Sequence, residues 1–307
     1  MNSAKAYVML VFVMVFWTSG IVVAKTIGNL MGILEFSLWR WGIAALFLFP
    51  FALPRLMNRY SEIGRKGKEI LYLGIFLAGG STLLVWSVQL TSVINAALFS
   101  ATQPIVTAGL LWFLFSEKVG KVQLLGIAIA FLGVFLIITN MDFKVLLTMS
   151  FNTGDLIVLV AVLLYSLYTI YLNQWCAAFS PILIMFLTSL AAAIILTLIT
   201  LATGGVPFRS FDLEVAQSLV YMALVPTAVA TTMWNTAIRA VGPNKSSAFI
   251  NLMPILGGLA SVLVFDEPIG KHHLLGTLLT CIGLTFVLNG GQRRRRLESA
   301  ENGGNPL

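Results

Sequence analysis

From residue 6 to residue 290 the chain is written as a succession of apolar runs separated by short polar breaks. Each run holds about 18 to 23 residues, enough for a helix to cross a hydrocarbon core of roughly 30 Å. Such a core leaves backbone groups no water to bond, so a run of this kind must satisfy its own backbone as a helix. The pattern therefore predicts an all-α integral membrane protein. Ten transmembrane helices can be drawn, at 6–27, 33–53, 70–90, 93–115, 122–139, 155–175, 181–202, 216–238, 246–265 and 273–290. The breaks around the fourth run are short, and hydropathy alone also accommodates nine. Composition agrees: 58% of the 307 residues are hydrophobic and 10% charged, more apolar surface than a soluble core of this size can hide. The first run follows Lys5, outruns a signal peptide and lacks a small-x-small cleavage site, so it is read as retained. Cys176 and Cys281 have no disulfide or metal spacing and read as small hydrophobes. No cofactor and no metal site is expected.

A formal net charge of +7 raises the question of nucleic acid, and its placement answers it. With ten spans, one side of the membrane collects fourteen Lys and Arg residues, among them Arg55, Arg59, Arg65, Lys66, Lys68 and Arg293 to Arg296, while the other side has only Lys25, Lys144, Arg209 and Lys271. This asymmetry is a topology signal that places both termini in the cytoplasm. No nucleic-acid partner is expected; the partners are the lipid bilayer and a small-molecule substrate.

The stretch "FSEKVGKVQLLG" at 115–126 is echoed by "FDEPIGKHHLLG" at 265–276. Aligned at a constant offset of 150, residues 104–140 and 254–290 share ten identities, including Pro104, Glu117, Gly120, Lys121, Gly126 and Gly133 with their counterparts. Earlier in each half, Trp86 pairs with Trp234 and "FWTS" at 16–19 faces "LYSL" at 164–167 after a two-residue change of register. The chain thus divides into a five-helix repeat at 1–147, a second at 148–292 and a basic, disordered tail at 293–307. An odd number of helices per repeat sends the second copy into the membrane from the opposite face, so the two repeats are inverted. Inverted halves around a central site are the build of alternating-access transporters. The duplicated motif then reads as a helix-to-helix corner on opposite surfaces.

The ten helices, the "E..GK..LLG" block closing each half and the early "FW.S" resemble the drug/metabolite transporter superfamily, specifically its EamA-type members. Among these the chain resembles exporters of amino acids and related metabolites, with the aromatic amino acid exporters as nearest group. The resemblance implies that the last two helices of each half form a packed scaffold and that the first three surround the substrate path. It also implies an exporter or facilitator in the cell (inner) membrane; exporters of nucleobases, lipophilic compounds or drugs, or a channel, are the other readings, and a complete inverted pair in one chain is expected to function as a monomer.

Polar and aromatic residues near the middle of the spans are the candidate substrate ligands, since hydrocarbon penalises them unless they face protein or water. They are Trp17, Thr18 and Ser19 in the first run, Thr82 and Trp86 in the third, Gln103 in the fourth, Tyr165 and Tyr168 in the sixth, and Trp234 and Asn235 in the eighth. Hydroxyls, amides and rings together suit an uncharged, zwitterionic or aromatic solute. Trp86 and Trp234 also suit an interfacial aromatic belt. Arg40, the basic residue set inside a span, can meet a substrate carboxylate, pair with Glu35, snorkel or bond helix carbonyls. Pro104 and Pro254 sit at matched places within apolar runs, where each would bend its helix and serve either as a conformational hinge or as a fixed kink.

The acids and histidines exclude other classes. All twelve carboxylates lie in loops, in the tail or near span ends, whereas exchange of lipophilic cations for protons needs a buried acid. Facilitated diffusion, or coupling by a route other than a buried acid, is the expected mode. The two histidines, His272 and His273, adjoin at one surface, out of reach of any mid-membrane serine, and no aspartate cluster could hold catalytic metal, so no enzyme is expected.

Overall fold

A computed structural model describes residues 1–27, 31–91, 93–142, 144, 151–204, 212–265 and 270–301. The described residues form helices and no strands. In chain order they are α1 (Ser3–Ile27), α2 (Ile33–Arg65), α3 (Gly67–Leu90), α4 (Val93–Ser100), α5 (Gln103–Phe115), α6 (Lys121–Ile138), α7 (Thr153–Cys176), α8 (Pro181–Ala202) and α9 (Leu213–Met222). A π-helical turn, Ala223–Val229, carries α9 into α10 (Ala230–Val241); then come α11 (Pro243–Ala248), a 3₁₀ turn (Phe249–Leu252), α12 (Met253–Phe265) and α13 (Lys271–Glu301).

Nine helical stretches among the described residues are long and apolar enough to cross a membrane. The ninth run of the sequence, 246–265, is divided between α11, the 3₁₀ turn and α12, so no single helix there has the length. Both short breaks of the sequence are present. α3 ends at Leu90 and α4 starts at Val93, and α5 is closed by Ser116 in the left-handed region at φ 54°, ahead of α6.

Two helices run further than their apolar cores. The second continues past residue 53 to Arg65 through Pro50 and Pro54, with a local departure from helical geometry at Arg59. The last continues through Arg293 to Arg296 as far as Glu301, where the sequence reading expects a disordered tail. Arginine, leucine, glutamate and alanine are good helix formers, and a helix already nucleated in the membrane needs only propagation. Residues 302–307 lie outside the described residues, as does the Asp266–Ile269 part of the second corner motif.

Packing sets α1 against α10, α3 against α7, α2 against α8 and α6 against α13. The α6–α13 contact is made by glycines from both repeats. A Cβ on Gly126 would stand 2.6 Å from the Gly283 carbonyl oxygen, and one on Gly133 would stand 2.6 Å from that of Gly276. No side chain fits there, so the backbones meet directly, as small-residue faces allow in lipid. Elsewhere buried Leu10, Met14, Trp41, Leu73, Leu183, Ile184 and Trp234 join one hydrophobic cluster across both halves.

Pro104 and Pro254 occupy the second position of α5 and of α12. The sequence places each inside a helix it would bend. Instead each opens a new helix, where its missing N–H costs nothing because first-turn donors have no helical partner. The preceding chain is a turn at Ala101–Thr102 in one half and the 3₁₀ turn in the other.

Candidate functional site

The polar residues buried between the helices form a succession of local contacts, a polar track. It begins at Arg40 on α2, a buried guanidinium that donates to the hydroxyl of Ser81 on α3. Its carbon lies 5.1 Å from the Trp41 ring and 5.5 Å from the Phe36 ring, so apolar π-faces share the charge. Tyr165 of α7 reaches the same point, its hydroxyl beside Ser81 and Arg40. It can do so because Gly80 has no side chain; a Cβ there would come 3.2 Å from the Tyr165 ring. Arg40 Nε and the neighbouring hydroxyls of Ser37 and Thr82 are buried with no partner in the structure.

One helical turn along α7, the Tyr168 hydroxyl donates to Asn235 Oδ1 of α10 at 2.8 Å. Both residues are buried, and the Asn235 amide nitrogen has no partner. Beside Asn235, the Trp234 ring lies 5.1 Å from that of Trp17 on α1, tilted by 45°. Trp17 donates its indole N–H to the Pro226 carbonyl at 3.0 Å. That carbonyl belongs to the π-helical turn, and it also accepts from the Thr231 hydroxyl at 3.4 Å.

Pro226 explains the turn. Lacking an N–H, it cannot donate to the preceding turn, and the Thr227 hydroxyl donates to the Met222 carbonyl at 2.8 Å in its stead. The widened turn presses on α1 where Gly20 leaves room, since a Cβ at Gly20 would stand 3.0 Å from the Pro226 ring. Next to it Ser19 shares a 2.7 Å hydrogen bond with the Tyr221 hydroxyl, and the Thr18 hydroxyl is buried without a partner.

Of the candidates from the sequence, Trp17 meets Trp234, Tyr168 meets Asn235, and Arg40 and Tyr165 meet at Ser81, while Ser19 bonds Tyr221 and Thr18 and Thr82 are buried beside them in the chain. Gln103 is buried one turn before Thr107 on α5, whose hydroxyl donates to Ser166 at 3.1 Å. Trp86 stands apart, 44% exposed near the end of α3.

Pro226, Tyr221 and the role of Ser81 were not singled out by sequence, although a proline in the middle of an apolar run is a visible signal. A buried carboxylate was also missed. Asp155 at the start of α7 is 0% exposed, accepts from Thr91 Oγ1 at 2.5 Å and from Asn95 Nδ2 at 3.1 Å, and takes the Asn152 backbone N–H at 2.9 Å. Asn152 in turn caps the helix through Asp155 N at 3.2 Å. The sequence signal is Asn-x-x-Asp ahead of an apolar run. This knot ties the end of α3 and the start of α4 to the second half of the chain.

A bundle of membrane-length helices packed around a polar, aromatic-lined interior defines a multi-pass membrane transport protein. The sequence profile of the EamA-like transporter family matches twice, at residues 4–139 and 152–289, and the chain belongs to that family. It is similar to YyaM, described as an uncharacterized transporter, of Bacillus subtilis strain 168, with 26% identity across 92% of this chain and 93% of that one. An uncharacterized transporter of Archaeoglobus fulgidus is 21% identical over 92% of this chain and 97% of its own length. A crystal structure with 14% identity superposes at a TM-score of 0.75, covering 92% of this chain and 97% of that one, which speaks to the fold. Family and relatives are transporters, so the protein is not an enzyme; it sits in a membrane and handles a small-molecule substrate.

Proposed function

We propose that the protein is a secondary transporter, an exporter or facilitator, which moves small metabolites across the inner membrane by alternating access, with neutral or aromatic amino acids as substrates. The observation that carries the reading is the track itself. A zwitterionic amino acid presents a carboxylate, an ammonium and a side chain, and the track supplies a match for each. Arg40 offers a guanidinium for the carboxylate. The hydroxyls of Thr18, Thr82 and Tyr165 and the Asn235 amide offer uncharged hydrogen-bond partners, and Trp17 and Trp234 offer faces for an aromatic ring. No carboxylate lies among these residues, which favours facilitated movement over proton exchange through an acid.

The helix pairing supports ten crossings in two inverted repeats of five, with 243–265 as the broken ninth crossing and α13 as the tenth. Exchanging the halves turns the α1–α10 contact into α7–α3 and returns α2–α8 and α6–α13 to themselves. On this reading the breaks before Pro104 and Pro254 are matched flexing points, and discontinuous helices of this kind line transporter sites. The α6–α13 seam is the rigid scaffold. Both termini face the cytoplasm, in keeping with the distribution of Lys and Arg, and a complete pair of halves in one chain makes the monomer sufficient.

The test is counterflow in proteoliposomes preloaded with neutral or aromatic amino acids, nucleobases or cationic dyes. Trans-stimulated uptake of aromatic amino acids is the expected result. Movement of the dyes or nucleobases alone would overturn the substrate assignment, and flux indifferent to trans substrate would make the protein a channel.

A further inference from the structure

Beyond the track, three arginines converge on a cleft of about 420 Å³ where the C-terminal parts of α2 and α10 meet the start of α8. Arg55 and Arg59 come from the last turns of α2, Arg239 from the end of α10, and the floor is Ala177 to Ser180 with Leu183, the connection from α7 into α8. No acid lines the cleft. The arginines are held differently. Arg239 is fixed from below: its guanidinium donates to the carbonyls of Phe179, Ala177 at 3.4 Å and Cys176 at 3.2 Å, closing the C-terminal end of α7, while its Nε is buried without a partner. Arg55 bonds the Phe51 carbonyl of its own helix at 2.7 Å, and Arg59 bonds Glu62 at 2.8 Å. Each guanidinium has five N–H donors, so one contact to the protein leaves donors on both for the cleft.

We propose that this cleft is a binding site for a phosphate group, and that its occupant is the headgroup of an anionic phospholipid. Glu62 offsets the charge of Arg59, but Arg55 and Arg239 gather beside it with no acid among the cleft residues, and an anion relieves their repulsion by accepting from several guanidiniums at once. The position suits a lipid. Arg55 and Arg59 stand just beyond the apolar part of α2, where the hydrocarbon gives way to headgroups. Basic pockets between helices on the positively charged side of membrane proteins take anionic headgroups in this way. Surface charge alone would scatter these side chains; here one is anchored on three carbonyls and the other two flank it. The occupant would join α2 of the first half to α8 and α10 of the second.

The experiment uses the purified full-length protein in detergent, titrated with dioctanoyl phosphatidylglycerol, dioctanoyl phosphatidylcholine or inorganic phosphate and read by thermal shift and native mass spectrometry. Phosphatidylglycerol should stabilise the wild type saturably and remain bound, with phosphatidylcholine ineffective. In R55Q/R59Q the half-saturating concentration should rise about tenfold or more, as expected for losing two charged donors. The pair R65Q/K68Q removes the same charge outside the cleft and should bind within about twofold of wild type, the spread left to general surface potential. Saturation by inorganic phosphate with the same pattern of variants would keep the site and assign a soluble phosphate as its occupant. If R55Q/R59Q binds like wild type, if R65Q/K68Q weakens binding equally, or if phosphatidylcholine serves as well as phosphatidylglycerol, the proposal is wrong. R239Q should abolish the effect; because Arg239 also closes α7, the exposed pair carries the test if that variant does not fold.

Discussion

Trp17 and Pro226, 209 residues apart, are joined by a 3.0 Å hydrogen bond from an indole N–H to a carbonyl of a π-helical turn. The bond fixes the Trp17 ring against Trp234 and ties the first helix of the chain to its partner in the second half. Trp17→Phe keeps a ring and removes the donor. It should cost about 1 kcal/mol in stability and, if Trp17 touches substrate or sets the geometry of those that do, reduce counterflow roughly fivefold to tenfold. Trp17→Ala removes the ring as well and should abolish transport while the protein still elutes as a folded species. Unchanged flux in Trp17→Ala would remove this residue from the substrate path.

Arg40 allows carboxylate recognition to be separated from structure. A buried charge contributes little net stability when an apolar group of similar size can replace it, so Arg40→Met should leave the melting temperature in detergent near that of wild type. Its transport should change selectively: the half-saturating concentration for an aromatic amino acid should rise about tenfold to a hundredfold, the range expected for loss of a charged hydrogen bond. The corresponding decarboxylated amine should be affected far less. Arg40→Lys should not restore the wild type, because a compact ammonium cannot offer the paired donors of a guanidinium. Equal losses for the acid and the amine would show that Arg40 acts by holding Ser81 and Tyr165 in place.

What the sequence made legible and what it hid have physical reasons. Membrane-length helices are a local property of apolar run length, and the glycine pairs of α6 and α13 repeat at an interval that marks one helix face. Arg40 announces itself because a charge in an apolar run must face protein. Which face of a helix looks inward is harder to read in lipid, where both faces are apolar. That is why Trp86 reads as equivalent to Trp234 although one is 44% exposed and the other buried. Pro104 and Pro254 were visible, yet a proline within a run fits a bend and a new start equally well. Pro226 gained meaning only from Trp17, a contact between halves that no local pattern encodes. Asp155 looked like an ordinary residue at a span end; its three partners, at Thr91, Asn95 and Asn152, come from the α3–α4 connection as well as from its own cap.

The Asp155 knot should respond to loss of charge more than of volume. Asparagine at this position turns one accepting oxygen into a donor, which must then face Asn95 Nδ2, the Thr91 hydroxyl or the Asn152 N–H. Asp155→Asn should lower stability by about 1–3 kcal/mol, the cost of a buried donor left unmatched, read as a drop in melting temperature. Thr91→Val removes one donor and leaves the others, so it should cost less. The two changes should be non-additive, since residues sharing a hydrogen bond couple in a double-mutant cycle. Strict additivity would mean that the 2.5 Å contact contributes nothing to holding the halves together.

The α6–α13 seam gives the sharpest prediction, because the same chemical change can be made where there is room and where there is none. A Cβ on Gly133 would stand 2.6 Å from both the Gly276 carbonyl oxygen and the Thr280 backbone nitrogen, and backbone cannot turn aside as a side chain can. Gly133→Ala should therefore force the helices apart and cost about 1–3 kcal/mol, as overpacking does elsewhere. Gly276→Ala, its reciprocal partner across the seam, should cost a similar amount, and the two together should cost less than their sum because the first already opens the contact. Gly109 in α5 and Gly257 in α12 meet nothing within 4 Å of an added Cβ. Alanine at either should be neutral or stabilising by up to about 1 kcal/mol through helix propensity alone. Melting temperatures of the four single variants in one detergent decide it: a Gly133→Ala protein as stable as Gly109→Ala would mean that the seam is not close-packed. Transport by a folded Gly133→Ala protein should fall along with its stability if the seam is the rigid support of the moving helices, whereas Gly109→Ala should transport as the wild type does.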